Sequence, residues 1–586
     1  MFLATTADQR FWNTNETILF LGKWCQLYQE KKVWSQLDHE VLPNHWNNQS
    51  KLIRDAEYLE NLYQKTLNSL ATQLNQLHDV NYSDKYWKIT LGSWLFQFIE
   101  TFFDRFTSIQ KVIELNKETN TWVPAASLEL FIPNDLMTFE SWAIQDPYNL
   151  IMYGWIIKQL NQIPFEIKNS IKVLPSSASF CSHQDSRGRK FIKKLLGLYC
   201  NYVPDCFNRI VFFAVPFRPW SLAYLQMSLG QIPYLIGPRL EVSEFPVNLE
   251  KRKRIKLTFA NNLFENLLGK VLPIQIPKVY IEGYKDLHQR ALKAFPKSPS
   301  LICTALGLHR HEGFKFWAAW QKEQGVKIIA AQHGGGYGNT RVFSLENYEI
   351  DCSDKFISWG WGKQDSSRII PLPSGQLAKS KQSLRQDPKG NILIAGWERA
   401  RYLKWMATIP FGQKMEDFLD THETFVSELQ VEIRTLLIIR LPPHDLEWGA
   451  ERRWAEFDPT LNVCRGGESL YDQLNRCRLF IGTSNCTANL ESLTANFPTV
   501  LFWKPEYFGL RSSAQHLYDE LRNAEILHDS PESAAAKVNK IFHDPLIWWR
   551  SSKVQEIRHK FCRQFAWTEN NWHLDWKNTL KKISGE

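Results

Sequence analysis

The chain has 586 residues, 44% of them hydrophobic and 22% charged, with a formal net charge of +9. That balance excludes a disordered or fibrous chain, and the length exceeds one ordinary core, so two domains with a helical insertion are expected. Seventy basic against 61 acidic residues suit anionic ligands or loose contact with an acidic membrane surface; without a dense Lys/Arg run carrying interleaved aromatics, nucleic acid is not an expected partner.

From the N-terminus, MFLATTADQRFW lacks a basic region followed by a long apolar core and does not read as a signal peptide. MFLATT and TILFLGKWC (17–25) read as short buried strands. Residues 50–115 differ: Leu52, Tyr58, Leu59, Leu62, Tyr63 and Leu67 fall at helical spacing, and WLFQFIETFF (94–103) continues as a buried helix. That block is one candidate docking face for a membrane, with core packing the favoured role. NRIVFFAVPF (208–217) and SPSLICTALG (298–307) return to strand character, HEGFKFWAAWQKEQG (311–325) is a helix, and VKIIAA (326–331) is the next strand. Strand, helix, strand with tight returns is the pattern of a parallel α/β sheet.

PLPSGQLAKSKQSLRQDPKGN (371–391) is the best linker. Beyond it, ILIAGW (392–397), TLLIIRL (435–441), CRLFIGT (477–483) and TVLFW (499–503) are strands, with helices expected over 412–430 and 488–497. The expected fold class is α/β with two Rossmann-like domains, an early helical insertion and a helical C-terminus. The boundaries are 1–370 with the insertion at about 50–115, then 371–545, then 546–586. The ten cysteines, Cys25, Cys181, Cys200, Cys206, Cys303, Cys352, Cys464, Cys477, Cys486 and Cys562, form no CxxC and suit a reducing, cytoplasmic setting. No run of about 18 apolar residues marks a membrane span.

Ligands of open α/β sheets bind outside the carboxyl ends of the strands, so the strand ends carry the candidate chemistry. VKIIAA delivers Gln332 and His333, followed by Gly334, Gly335, Gly336, Tyr337 and Gly338. An imidazole there suits a general base, and the glycines permit close approach of backbone to a ligand. GTSNCTANLESL (482–493) places Thr483, Ser484, Asn485 and Thr487 at the start of a helix, with Glu491 one turn in. Such a turn is either a phosphate and ribose site or a plain helix cap. RLPPHD (440–445) offers Arg440 and His444 as phosphate contacts. SWGWG (358–362) offers Trp359 and Trp361 as stacking platforms or as core. LHRHEGF groups His309, His311 and Glu312, but a third metal ligand at convincing spacing is missing, so no metal is expected; Glu312 at a helix start is a candidate catalytic carboxylate facing the cleft.

FLATT, ILFLGKWC, the run from FKFWAAW to QHGGGYG, RLPPHD, GTSNCTANLESLTANFPTVLFW and the closing WW together resemble one family, from Phe2 to about Trp549. It is a transferase family of bacterial O-antigen and surface-polysaccharide gene clusters. The resemblance implies a GT-B type, metal-independent glycosyltransferase with a nucleotide sugar as co-substrate and no cofactor. Its C-terminal domain would take the donor through Ser484, Asn485, Thr487 and Glu491, and its N-terminal domain a glycan or lipid-linked acceptor, with peripheral contact at the inner membrane face. Arg440 and His444 are similar to the His-Pro element of bacterial sialyl- and Kdo-transferases, although Asp445 stands where proline follows. His333 is similar to the catalytic histidine of teichoic-acid-type polymerases. The expected mechanism has His333 deprotonating an acceptor hydroxyl, which attacks the anomeric carbon while Arg440, His444 and the amides at 483–487 hold the leaving phosphate. A CMP-linked acidic sugar is one donor that fits. The alternatives are alditol-phosphate transfer, and a non-catalytic carbohydrate-binding or assembly protein on the same scaffold.

Overall fold

Short apolar runs ended by polar turns, separated by amphipathic helices, build three larger parallel sheets and a two-stranded one among the described residues. The computed structural model describes residues 1–169, 207–234, 237–238, 240–257, 259–362 and 367–585; Cys181, Cys200 and Cys206 lie outside the described residues. The N-terminal sheet joins β1 (Phe2–Ala4), β2 (Ile18–Phe20) and β3 (His39–Val41) in that order, with β4 (Thr121–Pro124) and β5 (Phe165–Lys168) paired alongside. A parallel bridge from Phe2 to Asn120 links the two groups. This sheet adds a third parallel unit to the two that the sequence predicts.

The middle sheet runs in simple sequence through β6 (Ile210–Phe213), β7 (Leu301–Thr304), β8 (Lys327–Ala331), β9 (Lys355–Ser358) and β10 (Ile369–Pro371). β8 is its central strand, and its Ile328–Ala331 stretch is buried throughout, as a parallel strand covered on both faces must be. The C-terminal sheet contains β11 (Asn391–Ala395), β12 (Leu437–Leu441), β13 (Asn462–Arg465), β14 (Cys477–Gly482), β15 (Thr499–Phe502) and β16 (Leu527–His528), in the order β13-β12-β11-β14-β15-β16. The chain winds outward from β11 to β13, returns to the middle at β14 and winds outward the other way. This is the doubly wound Rossmann order, and its switch point lies between the carboxyl ends of β11 and β14, where Ala395 is paired with Gly482.

The helices that position the site and flank it are numbered in chain order. α1 (Gln49–His78) and α2 (Asp84–Glu114) are capped by the Asn48 and Ser83 side chains, which accept from the amides of Lys51 and Tyr86. They form the helical block expected at 50–115, and they connect β3 to β4. α2 is buried on nearly all sides, from Trp87 and Trp94 to Phe98 and Phe102, so its apolar residues serve packing rather than membrane docking. α3 (Pro219–Ser228) follows β6, α4 (Glu312–Glu323) lies between β7 and β8, α5 (Ser344–Cys352) precedes β9, and α6 (Thr487–Thr494) follows β14. The expected linker holds a short helix of its own, Leu377–Ser383, before β11 begins. α7 (Trp572–Ser584) brings the chain back to the middle sheet, where Trp572, Trp576 and Leu580 pack with Ile210, Phe212, Leu301 and Ile329.

Candidate active site

The loop after β8 carries His333 to the carboxyl end of the middle sheet. Its side chain is 15% exposed, and its Nε2 stands 3.1 Å from Glu349 Oε1 and 2.7 Å from the Tyr337 hydroxyl. Tyr337 donates its single proton to Glu349 Oε2 at 2.8 Å. The carboxylate can only accept, and the phenol has no second proton to give. The proton at the shared position therefore belongs to His333 Nε2. That tautomer leaves Nδ1 with the basic lone pair, and no hydrogen bond engages it among the described residues. Glu349 lies fully buried on α5, so the imidazole is held by a carboxylate that water does not reach. A histidine oriented by a buried carboxylate through one nitrogen is equipped to take a proton on the other.

The glycines behind His333 face the other half of the molecule. Gly335 N donates to Thr487 Oγ1 at 2.8 Å. A Cβ at Gly335 would lie 2.7 Å from the carbonyl carbon of Cys486 and 2.8 Å from the amide of Thr487. Only a residue without a side chain lets these two backbones touch. The sequence reading places Gly334, Gly335 and Gly336 against a substrate; in the structure Gly335 lies against the N-terminus of α6. Gly338 has φ of +74° and packs on the Trp361 ring. The contact continues beyond the loop. Asn485 Nδ2 donates to Asn339 Oδ1 at 3.0 Å, Arg511 pairs with Glu346 at 2.8 Å, and Thr340 bridges Leu510 in antiparallel fashion. The two sequence blocks that look most like chemistry thus meet face to face.

On the C-terminal side, Ser484 sits buried at the switch point, its hydroxyl beside the Cys486 thiol. The α6 N-terminus has no side-chain cap. Glu491 accepts from the Tyr471 hydroxyl at 2.9 Å. Burial pushes its carboxyl up from the ordinary range, against the pull of Tyr471 and Lys379. Thr483 donates to the Ala395 carbonyl at 2.8 Å and so ties β14 to β11, and Asn485 accepts from Tyr518 at 2.9 Å. These two side chains brace the turn.

Several expected residues are placed otherwise. Trp359 and Trp361 are buried and do not offer stacking faces; Gln332 accepts from the Trp359 amide at 2.9 Å and the Trp361 indole at 2.8 Å, knitting β8 to β9. Arg440 spends its guanidinium on the Glu468 carbonyl at 3.0 Å and Gln473 Oε1 at 2.6 Å. His444 is exposed beside Asp445 on the turn after β12. Glu312 is buried. Its carboxylate takes Lys315 at 3.0 Å, the Tyr280 hydroxyl at 2.9 Å and the Leu136 amide at 3.3 Å. No contact joins it to His333, because the helix start that carries Glu312 points into the α2 packing. His309 turns instead to Glu140 at 3.0 Å and His311 lies edge-on to Phe213, so the three candidate ligands diverge.

Three residues of interest escape the sequence reading. Glu349 is one. Glu398 is another: three residues past β11, its side chain is 1% exposed, the Leu446 amide faces its carboxyl, and Arg465 Nη2 stands 3.8 Å away. Burial pushes this carboxyl up to about 7, against the pull of Arg465 and with the push of Asp445. Arg399 is the third. Burial lowers it to about 10 against the pull of Glu100, and it stacks over Trp405 with its Nη2 on the Trp405 carbonyl at 2.6 Å. It belongs to a loop, 396–411, that leaves the switch point and binds carboxylates of the first half. Arg401 pairs with Asp146 at 2.7 Å, Lys404 with Glu140 at 2.8 Å, and the Met406 amide with Glu100 at 2.7 Å.

Among solved structures, the chain is similar to MurG of Acinetobacter baumannii, with 12% identity over 64% of this chain and 99% of that one and a TM-score of 0.31. It is similar to the spinosyn forosaminyltransferase SpnP at 13% identity, 64% and 99% coverage and a TM-score of 0.31. It is also similar to WaaG, a glycosyltransferase involved in lipopolysaccharide biosynthesis, at 10% identity, 51% and 95% coverage and a TM-score of 0.28. No curated protein matches the chain. The model of the LIC12162 family transferase matches residues 1–580, and the chain belongs to that family.

Proposed function

We propose that the protein is a GT-B type glycosyltransferase that moves a sugar from a nucleotide-activated donor to a hydroxyl of a glycan or lipid-linked glycan. The donor lies at the β11/β14 switch point, and the acceptor approaches from the middle sheet. His333 Nδ1 takes the proton of the acceptor hydroxyl as its oxygen attacks the anomeric carbon. The bond from that carbon to the nucleotide phosphate breaks, and the phosphate leaves with the electron pair. Glu349 stabilises the imidazolium that forms. In this reading Ser484 and the amides at the start of α6 hold the leaving phosphate, supported by their position at the carboxyl end of β14. Glu491 accepts from the donor's hydroxyls. No step in this proposal uses a metal, and the nucleotide sugar is the co-substrate.

The observation that carries this reading is the 2.8 Å bond from Gly335 to Thr487. It sets a carboxylate-held histidine beside the switch point of a doubly wound sheet. The test has two stages. CMP, UDP, GDP, dTDP and CDP are screened by thermal shift; a nucleotide at about 100 times its Kd stabilises by roughly 2.7 kcal/mol, and Glu491→Ala removes the shift. Transfer from the matching nucleotide sugar is then measured for His333→Ala. A folded His333→Ala enzyme with full turnover overturns the base assignment, and the absence of any nucleotide shift at millimolar concentration overturns the donor site.

A further inference from the structure

α3 is apolar on two opposite faces. Leu222 and Leu225 bury one face in the middle-sheet core. On the other side Trp220 is 85% exposed, Tyr224 52% and Met227 55%. At helical spacing of four and three residues, these three side chains fall within about 60° of one another. Single exposed apolar residues are ordinary; an aligned Trp-Tyr-Met stripe on one ten-residue helix leaves a contiguous apolar ridge in water.

The neighbours of the ridge are basic. His573 of α7 meets Tyr224 edge-on at 4.7 Å. Lys577 and Lys581 follow His573 at four-residue steps along the same flank of α7, and Leu574, 46% exposed, lies beside them. Asp575 falls on the opposite flank by the same periodicity. Arg218, directly before α3, donates to Ser383 at 2.8 Å, and exposed Lys381 is two residues from that contact. Among the described residues no ion pair engages Arg218, Lys381, Lys577 or Lys581. An aromatic ridge flanked by unpaired cations matches the headgroup layer of an anionic bilayer. There Trp and Tyr sit at the apolar–polar boundary, and each lysine meets lipid phosphates. The net charge of +9 acts in the same direction.

We propose that the α3–α7 face docks this protein onto the surface of a lipid bilayer bearing anionic headgroups. Trp220, Tyr224 and Met227 enter the boundary layer, and Arg218, Lys577 and Lys581 hold the phosphates. None of these residues belongs to the active site, so docking stands or falls independently of the glycosyl-transfer reading.

The test is flotation of the full-length protein with vesicles of phosphatidylcholine alone or with about one third phosphatidylglycerol. The wild type is expected to float with the anionic vesicles and to be released by high salt. Trp220→Ser, Tyr224→Ser and Met227→Ser combined reduce the bound fraction on the order of 100-fold, and Lys577→Glu with Lys581→Glu about tenfold. Both variants keep the wild-type melting temperature. Failure of the wild type to bind anionic vesicles overturns the proposal, as does binding that the combined serine variant leaves intact. A wild-type dimer that the serine variant dissociates, without vesicle affinity, overturns it in favour of a second copy of the chain.

Discussion

Replacing Gly335 by alanine tests whether the glycine loop exists to let the two halves touch. The added Cβ would stand 2.7 and 2.8 Å from the backbone of Cys486 and Thr487, where carbon contacts settle at about 3.5 Å or more. Neither obstacle is a flexible side-chain tip, so the loop has to retreat by about 0.7 Å. That retreat stretches the Gly335–Thr487 hydrogen bond beyond its 2.8 Å. Overpacking of this kind costs about 1–3 kcal/mol and the weakened bond about 1 kcal/mol more, so Gly335→Ala is expected to destabilise by about 2–4 kcal/mol. Gly334→Ala is the control, because its Cβ would meet only Thr487 Oγ1, at 3.4 Å. Any gain from stiffening the unfolded chain is common to both variants. Urea denaturation followed by tryptophan fluorescence measures the difference. Equal stabilities for the two variants would refute the close-contact account of the glycines.

Glu349→Gln is expected to lower kcat by about 10²- to 10⁴-fold with little change in KM, since the amide cannot stabilise the imidazolium; steady-state kinetics separate the two. Glu398 carries a folded-state pKa of about 7 against an ordinary value of 4.5. The raised value means the folded state holds the proton more tightly, so the wild type loses stability as pH rises from about 4.5 through 7. Glu398→Gln escapes this loss and is expected to be more stable than wild type by up to about 3 kcal/mol above pH 7, the gap closing toward pH 5; denaturant melts across that range check it. Lys315→Met strands the buried Glu312 carboxylate and is expected to cost about 3–5 kcal/mol, most of it regained by adding Glu312→Gln; urea midpoints of the single and double variants decide.

Four strands of the C-terminal sheet were legible because each is an apolar run cut off by a polar turn, as in TLLIIRL, CRLFIGT and TVLFW; its two edge strands, Asn462–Arg465 and Leu527–His528, were not, being short and half polar. In the N-terminal sheet, MFLATT and TILFLGKWC marked the strands Phe2–Ala4 and Ile18–Phe20, but His39–Val41 and Phe165–Lys168 were not legible, since three or four partly exposed residues carry too few positions for alternation to register. His333 announced itself through the glycines behind it. Glu349 did not, because SLENYEIDC sets carboxylates along a helix without marking which face is buried. Glu398 and Arg465 are neighbours only because β11, β12 and β13 lie side by side. An aromatic pair reads alike whether it stacks on a ligand or on the core, and for Trp361 the glycine packed against its ring decided the matter.

The return of α7 to the middle sheet has a consequence for biosynthesis. Trp572, Trp576 and Leu580 complete a core whose strands begin at Ile210. A ribosome makes the whole C-terminal sheet before these residues emerge. Throughout that interval the middle sheet holds an apolar face open, the condition under which nascent chains recruit chaperones or aggregate. Vectorial folding, domain by domain from the N-terminus, is therefore denied to this molecule: its second sheet is sealed last.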